Sequence, residues 1–254
     1  MWPVIVIALN TFRENLRDKI LYNLVFFAFL LIGVSVLLAD LTIMEHHKMI
    51  ADMGLAAINL VGVIIAVFVG IGLVSKEIER RTIYTIMARP IERTQFVLGK
   101  YLGLVMTLSV NMAVMVIVFL ATLWLYHAPI HGALMQAVAL IFVEVLVVTA
   151  IALFFSTFST STLSAIMTLG LFVVGHLTVD LKGIAESSRN KMVQAVVTAV
   201  YYVFPNLEIL NVKGQAAMGV HVSYAYQAMA MSYGLLYAAL LLAGACVIFK
   251  RRDF

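Results

Sequence analysis

The sequence is poor in charge and almost without cysteine, and it lacks the short motifs by which soluble enzymes hold phosphates and metals. Charged residues make up 12% of the chain and hydrophobic residues 63%, against roughly 25% and 45–50% in soluble domains. With a mean hydropathy of +1.05, too few polar side chains remain to coat a soluble globule, and the composition points to an all-α, polytopic membrane protein. The single cysteine, Cys246, excludes an intrachain disulfide and thiolate metal clusters. No Gly-x-x-x-x-Gly-Lys-Ser/Thr phosphate loop occurs. The one Gly-Lys pair, Gly99-Lys100, is followed by Tyr101 and has no glycine at the required upstream position. Glu45-His46-His47 is not the His-Glu-x-x-His of a metalloprotease, and no aspartate lies inside an apolar run. No serine and histidine fall at matching depth for a serine-type site. The chain is therefore read as no enzyme, with no catalytic residue, no cofactor and no metal site.

What is present is a series of six uncharged or nearly uncharged runs, at about 20–39, 55–74, 101–126, 133–155, 162–179 and 228–249. A helix of about 20 residues is roughly 30 Å long and matches the hydrocarbon thickness, so each run is expected to span. Together they form a single transmembrane domain over residues 1–254. Ahead of them, Ile5, Leu9, Phe12, Leu16 and Ile20 recur at helical spacing opposite Asn10, Arg13, Glu14, Arg17 and Asp18. With Pro3 in the first turn, this predicts an amphipathic helix lying along the inner membrane surface. The charged region is too long for a signal peptide and Leu37 with Ala39 makes a poor cleavage site, so the first span is expected to be retained. Gly62, Ala66 and Gly70 form a small-residue stripe suited to close helix approach. Trp124 and Tyr126 end the third run as interfacial anchors. Between the fifth and sixth runs, Met192 to Phe204 is apolar but stops at Pro205, too short to cross; it predicts a re-entrant or surface helix on the outer side.

Orientation follows from the basic residues. With both termini cytoplasmic, the inner segments hold Arg13, Arg17 and Lys19, then Lys76, Arg80, Arg81, Arg89, Arg93 and Lys100, then Lys250 to Arg252: 12 of the 17 Lys and Arg. The net charge of +4 is accounted for by this asymmetry, so the expected partner is the lipid bilayer of the cell (inner) membrane and not nucleic acid.

Three places carry chemistry. The first is the loop Ser75 to Lys100, with six Lys/Arg and three Glu in 26 residues. Ile78, Ile83, Tyr84, Ile86 and Met87 give it an apolar side, Lys76, Glu77, Glu79, Arg80 and Arg81 a charged end, and Arg89-Pro90 a break. A second short helix, Glu92 to Gly99, then leads into the third span. Read from the residues alone, this is either a gripped loop or an ordinary solvated one whose charges set topology. The second place is the membrane interior. Glu144 lies about 16 Å down its helix and Asn111 about 15 Å up the opposing one, both near the midplane and within reach of a mutual hydrogen bond. A carboxylate there must be protonated, partnered or facing a pore. His176, near the outer end of the fifth span, reads as a capped interfacial histidine or as a proton relay. The third place is the segment holding Met44, His46, His47, Met49 and Met53, whose soft donors suit copper but follow no diagnostic spacing.

The run GLVSKEIERRTIYTIMARPIERTQFVLGKYLG resembles the loop after the second span in ABC transporter permeases of the type 2 exporter class. The likeness is carried by Glu77, the basic-Thr pair Arg81-Thr82, Arg89-Pro90, Arg93 and Gly99-Lys100. It extends to the amphipathic start, the six-span plan and the final Phe249-Lys250-Arg251-Arg252-Asp253-Phe254. Within the class the chain is most similar to permeases grouped with multicopper-enzyme maturation. The resemblance implies a permease that pairs with a second permease subunit, identical or not. It also implies a coupling helix docked on a separate cytoplasmic ABC ATPase, with Lys76, Glu77, Glu79, Arg80, Arg81, Thr82, Tyr84, Arg89, Pro90 and Arg93 as the coupling residues. The alternatives are a secondary transporter or a membrane anchor subunit without ATP coupling.

Overall fold

The computed structural model describes residues 2–40, 45–79, 92–187 and 191–251, and among these every regular element is helical. In chain order these are α1 (Trp2–Leu16), α2 (Lys19–Asp40), α3 (His46–Glu79), α4 (Arg93–Leu125), α5 (Gly132–Ser156), α6 (Ser161–Ser187), α7 (Lys191–Val203), a 3-10 turn (Glu208–Leu210), α8 (Lys213–Ala217) and α9 (Tyr224–Arg251). Six helices are long and apolar enough to cross a membrane: Leu21–Ala39, His46–Gly72, Arg93–Leu125, Gly132–Ser156, Ser161–Ile184 and Tyr224–Arg251.

The helices overrun the apolar stretches that predicted them. α3 starts at His46, so the described part of the Met/His segment forms the first turns of a helix and not a separate external strip. Gly54 does not interrupt it, because that glycine is where the ring of Phe119 packs against the helix. α6 runs through Asp180 and Lys182 to Ser187, since charges at the end of a span can extend into the polar interface without breaking the backbone ladder. The expected short helix Glu92 to Gly99 is the first part of α4, continuous with the span.

α3 and α5 are enclosed over most of their length, and the other four spans turn most of their surface outward. α5 is apolar on every side, the pattern of a helix surrounded by others, and Val143 to Thr149 are all buried. The stripe on α3 sets its approach to α5. A side-chain carbon on Gly62 would lie 3.0 Å from Val145, and one on Gly70 would lie 3.1 Å from Ala152, with Ala66 fully buried between them. Without a hydrophobic force between helices in lipid, such close backbone approach supplies the packing.

α2 lies on α3, and α9 packs on α5 and on the start of α4. At one end of the bundle, the segment between α6 and α9 is tied down by side chains. Gln136 donates to the Val222 carbonyl (3.1 Å) and accepts from its N–H (3.2 Å), and the Tyr226 hydroxyl donates to the Ile209 carbonyl (2.9 Å).

α1 has a specific partner. It packs along α4, where the Gly99 position meets Ile7, the Gly103 position meets Ala8 and Thr11, and Asn15 donates to the Thr107 hydroxyl at 3.2 Å. The paired numbers rise together, so α1 runs parallel to α4 and follows it instead of crossing it. A neighbouring face of α1 is turned to protein, with Ala8, Thr11 and Asn15 buried, while Ile5 and Leu9 of the face expected to lie against lipid stay exposed.

Gly103→Val should detach α1, because its new carbon would meet the Ala8 carbonyl at 2.7 Å, and backbone cannot yield as a side chain does. A loss of about 1–3 kcal/mol is expected, read as a lower midpoint of thermal unfolding in detergent. Gly170→Ala, with nothing within 4 Å of the added carbon, should leave the midpoint unchanged.

Candidate functional site

The two ends of the loop sit on rigid helices. α3 continues nine residues past Gly70, whereas its neighbour α5 ends four residues past the contacting Ala152. α3 with 34 residues and α4 with 33 are each about 50 Å long, some 20 Å more than a bilayer core requires. Lys76, Glu77 and Glu79 belong to the last turns of α3. Arg80, Arg81, Thr82, Tyr84, Arg89 and Pro90 lie outside the described residues.

Arg93, at the first residue of α4, reaches sideways to the last turn of α9. Its guanidinium donates to the carbonyls of Phe249 (3.4 Å) and Lys250 (3.1 Å), oxygens that a helix end leaves without intrahelical partners and that favour a cation. One turn on, Phe96 stacks on Phe249 with ring centres 5.7 Å apart and planes 15° apart, and both rings are fully buried. The Lys100 ammonium lies over the Phe96 ring, 5.7 Å from its centre, and 3.9 Å from the Glu14 carboxylate. α1, α4 and α9 are joined at the loop end by this set of contacts.

The second site is the polar centre of the bundle. Glu144 is fully buried on α5. The Asn59 amide of α3 donates to both of its oxygens, at 3.3 and 3.2 Å, and the His176 Nε2 of α6 lies 3.3 Å from one of them. Three helices meet on one carboxylate. Asn111 does not join them: its amide donates to the Thr107 carbonyl of its own helix at 2.8 Å, which satisfies it locally. His176 turns its imidazole inward to α5, and α6 continues eleven residues beyond it. Asn59 is the participant that the sequence reading passed over. As an uncharged residue it left the second apolar run intact, and its one signal was being an amide inside a span.

At the opposite end of the bundle from the loop, Glu45, His46, His47, Lys48, His131 and Met218 line a cavity of about 630 Å³. Glu45 and Lys48, one turn apart on its wall, pair at 3.2 Å. Among the described residues, no three His, Cys, Asp or Glu side chains converge closely enough to hold a metal ion. Met44 is outside the described residues.

A family model described as ABC-2 family transporter protein matches residues 5–254, nearly the whole chain. The chain belongs to the ABC-2 family transporter proteins. No curated protein matches it. As a member of this family it is the integral membrane component of an ABC transporter, a transport subunit and not a catalytic one. In this ABC-2 transporter protein the loop-end contacts and the three-helix polar centre are both built around specific side chains.

Substitutions at the two places should separate. Asn59→Ala strips a donor from a buried carboxylate and is expected to cost about 1–3 kcal/mol; Asn111→Ala, which gives up a bond within its own helix, should cost less than about 1 kcal/mol. Phe96→Ala should cost about 3–5 kcal/mol by emptying a fully buried ring site. Unfolding midpoints in one detergent would rank the three.

Proposed function

We propose that this chain is one membrane half of an ABC exporter. In this reading it pairs with a second permease subunit, identical or not, and its loop is gripped by a separate cytoplasmic ATPase. Both termini and the loop face the cytoplasm, and the membrane is the cell (inner) membrane. The observation that carries the reading is mechanical: residues 80–91 are flanked by two continuous helices, α3 and α4, that run the full depth of the bundle. A push on such a loop is delivered to the centre without passing through a hinge. Arg93 and Phe96 would spread the same push to α9, which is bound to them.

Within this reading Arg80, Arg81, Thr82, Tyr84, Arg89 and Pro90, with the Lys76, Glu77 and Glu79 turns, meet the ATPase, and Arg93 serves the relay behind them. A carboxylate-lined cleft on the ATPase would suit the basic end of the loop, since complementary charge steers and registers docking.

The test is co-purification of the ATPase with the native chain and with the Arg80→Glu, Arg81→Glu double variant. The variant should insert normally and retain roughly a tenth of the ATPase, the effect of losing about 1.4 kcal/mol of binding. Equal recovery would remove the docking role from this loop. Transport that proceeds with no ATPase present would instead favour a secondary transporter.

A further inference from the structure

We propose that Glu144 and His176 together form a binding site for a single proton in the middle of the bundle, and that this proton ties α6 to the α3–α5 centre. The inference goes beyond ATP coupling and does not rest on it.

The proton count follows from which atoms face each other. His176 Nδ1 lies 3.1 Å from the Phe172 carbonyl. A carbonyl oxygen only accepts, so Nδ1 carries a hydrogen and donates. The other nitrogen, Nε2, is therefore a bare lone pair in the neutral ring, and it faces a carboxyl oxygen of Glu144 at 3.3 Å. A lone pair set against an ionised carboxylate oxygen is repulsive, and in a water-poor interior nothing screens it. One additional proton resolves the contact. Placed on Nε2 it makes an imidazolium–carboxylate pair; placed on Glu144 it makes a neutral acid donating to the ring. In either form one hydrogen lies between the same two atoms. Asn59 does not substitute for it, because its amide is neutral and already donates to the carboxylate from the opposite helix.

The surroundings allow such a site to fill and empty. The Glu144 side chain is 0% exposed and that of His176 is 20% exposed, so of the two groups the imidazole is the one with an open side, and we place the proton's entry and exit there. Next to it, the Gly175 carbonyl accepts from the Leu207 N–H at 3.0 Å, and the absence of a side chain at Gly175 lets the Pro205 carbonyl approach. This brings the segment between α6 and α9 against the histidine. The charged and titratable groups facing the pair from the packed elements are few. Lys213 of α8 adds a positive field at the ring, and Glu208 of the 3-10 turn is held by the Asn211 amide at 3.0 Å. On the α7 side, Lys182 of α6 lies over the Tyr201 ring at 4.5 Å. α3 contributes the neutral Asn59. Toward α9, the hydroxyl of Tyr233 is engaged by the Asn206 N–H at 2.9 Å.

The sign is fixed by the count. Below the titration the proton is present and α6 is tied; as pH rises the proton leaves to solvent through His176, the two acceptors repel, and α6 separates from α5.

The experiment uses the full chain in lipid nanodiscs with Cys246→Ala. Spin labels on the exposed positions Leu60→Cys of α3 and Leu177→Cys of α6 report the distance between the helices from about pH 5 to about pH 9, a range spanning the ordinary histidine transition. Proton uptake is measured over the same range. The native chain should show a longer or broader distance at the alkaline end and should take up about one proton per chain more than Glu144→Gln on acidification. Glu144→Gln should hold the short distance at every pH, because the glutamine N–H donates to the bare Nε2 without needing a proton. His176→Gln, should the first variant fail to insert, is expected to abolish the pH response by the same logic. A native distance that ignores pH, or a variant that responds as the native chain does, would overturn the proposal.

Discussion

The enclosure of Glu144 in the middle of the bundle governs the architecture. A carboxyl group on the most enclosed helix has nowhere to turn except to its neighbours. α3 brings it a donor in the Asn59 amide, and α6 brings the Nε2 of His176 against one of its oxygens. The small residues of α3 serve the same requirement from another direction. Gly62 and Gly70 bring the α3 backbone close to α5, and at that separation the short side chain of an asparagine reaches Glu144. Packing and polar satisfaction are therefore one constraint, because a larger residue in the stripe would move the amide out of bonding range.

A second set of contacts organises the loop end by a different physics. There the partners are an aromatic stack, a guanidinium on helix-end carbonyls and a lysine lying over a ring. These are interactions that tolerate partial hydration and change of angle. The bundle is thus held by hydrogen bonding to a buried carboxylate at its middle and by broader surfaces at the end that the proposed function sets in motion.

The sequence made the six spans and the role of the α3 stripe legible, because both depend on runs and spacings within one helix. The depth of Glu144 was legible for the same reason. Its partners were not: Asn111 lies at the matching depth on the opposing helix, but depth says nothing about the azimuth at which a side chain leaves its helix, and Asn111 is satisfied on its own backbone. His176 was placed at an interface because the fifth apolar run stops at Val179, whereas the helix does not. The apolar runs starting at 55 and 101 and stopping at 179 are shorter than their helices, which begin at His46 and Arg93 and continue to Ser187, because polar residues at a span end do not break the backbone ladder. The surroundings of α1 were hidden for another reason, since Gly99 and Gly103 lie where the loop enters a span and look like loop glycines until their neighbour is known.

The arrangement around α4 has a practical side. Its loop end is contacted both by α1, against Gly99 and Gly103, and by α9, against Arg93 and Phe96. A reporter or affinity handle carried beside α1 or α9 would load the same few turns of the same helix. The turn at Met218 and Gly219, on the far side of the bundle and with Met218 exposed, is the better place to attach one.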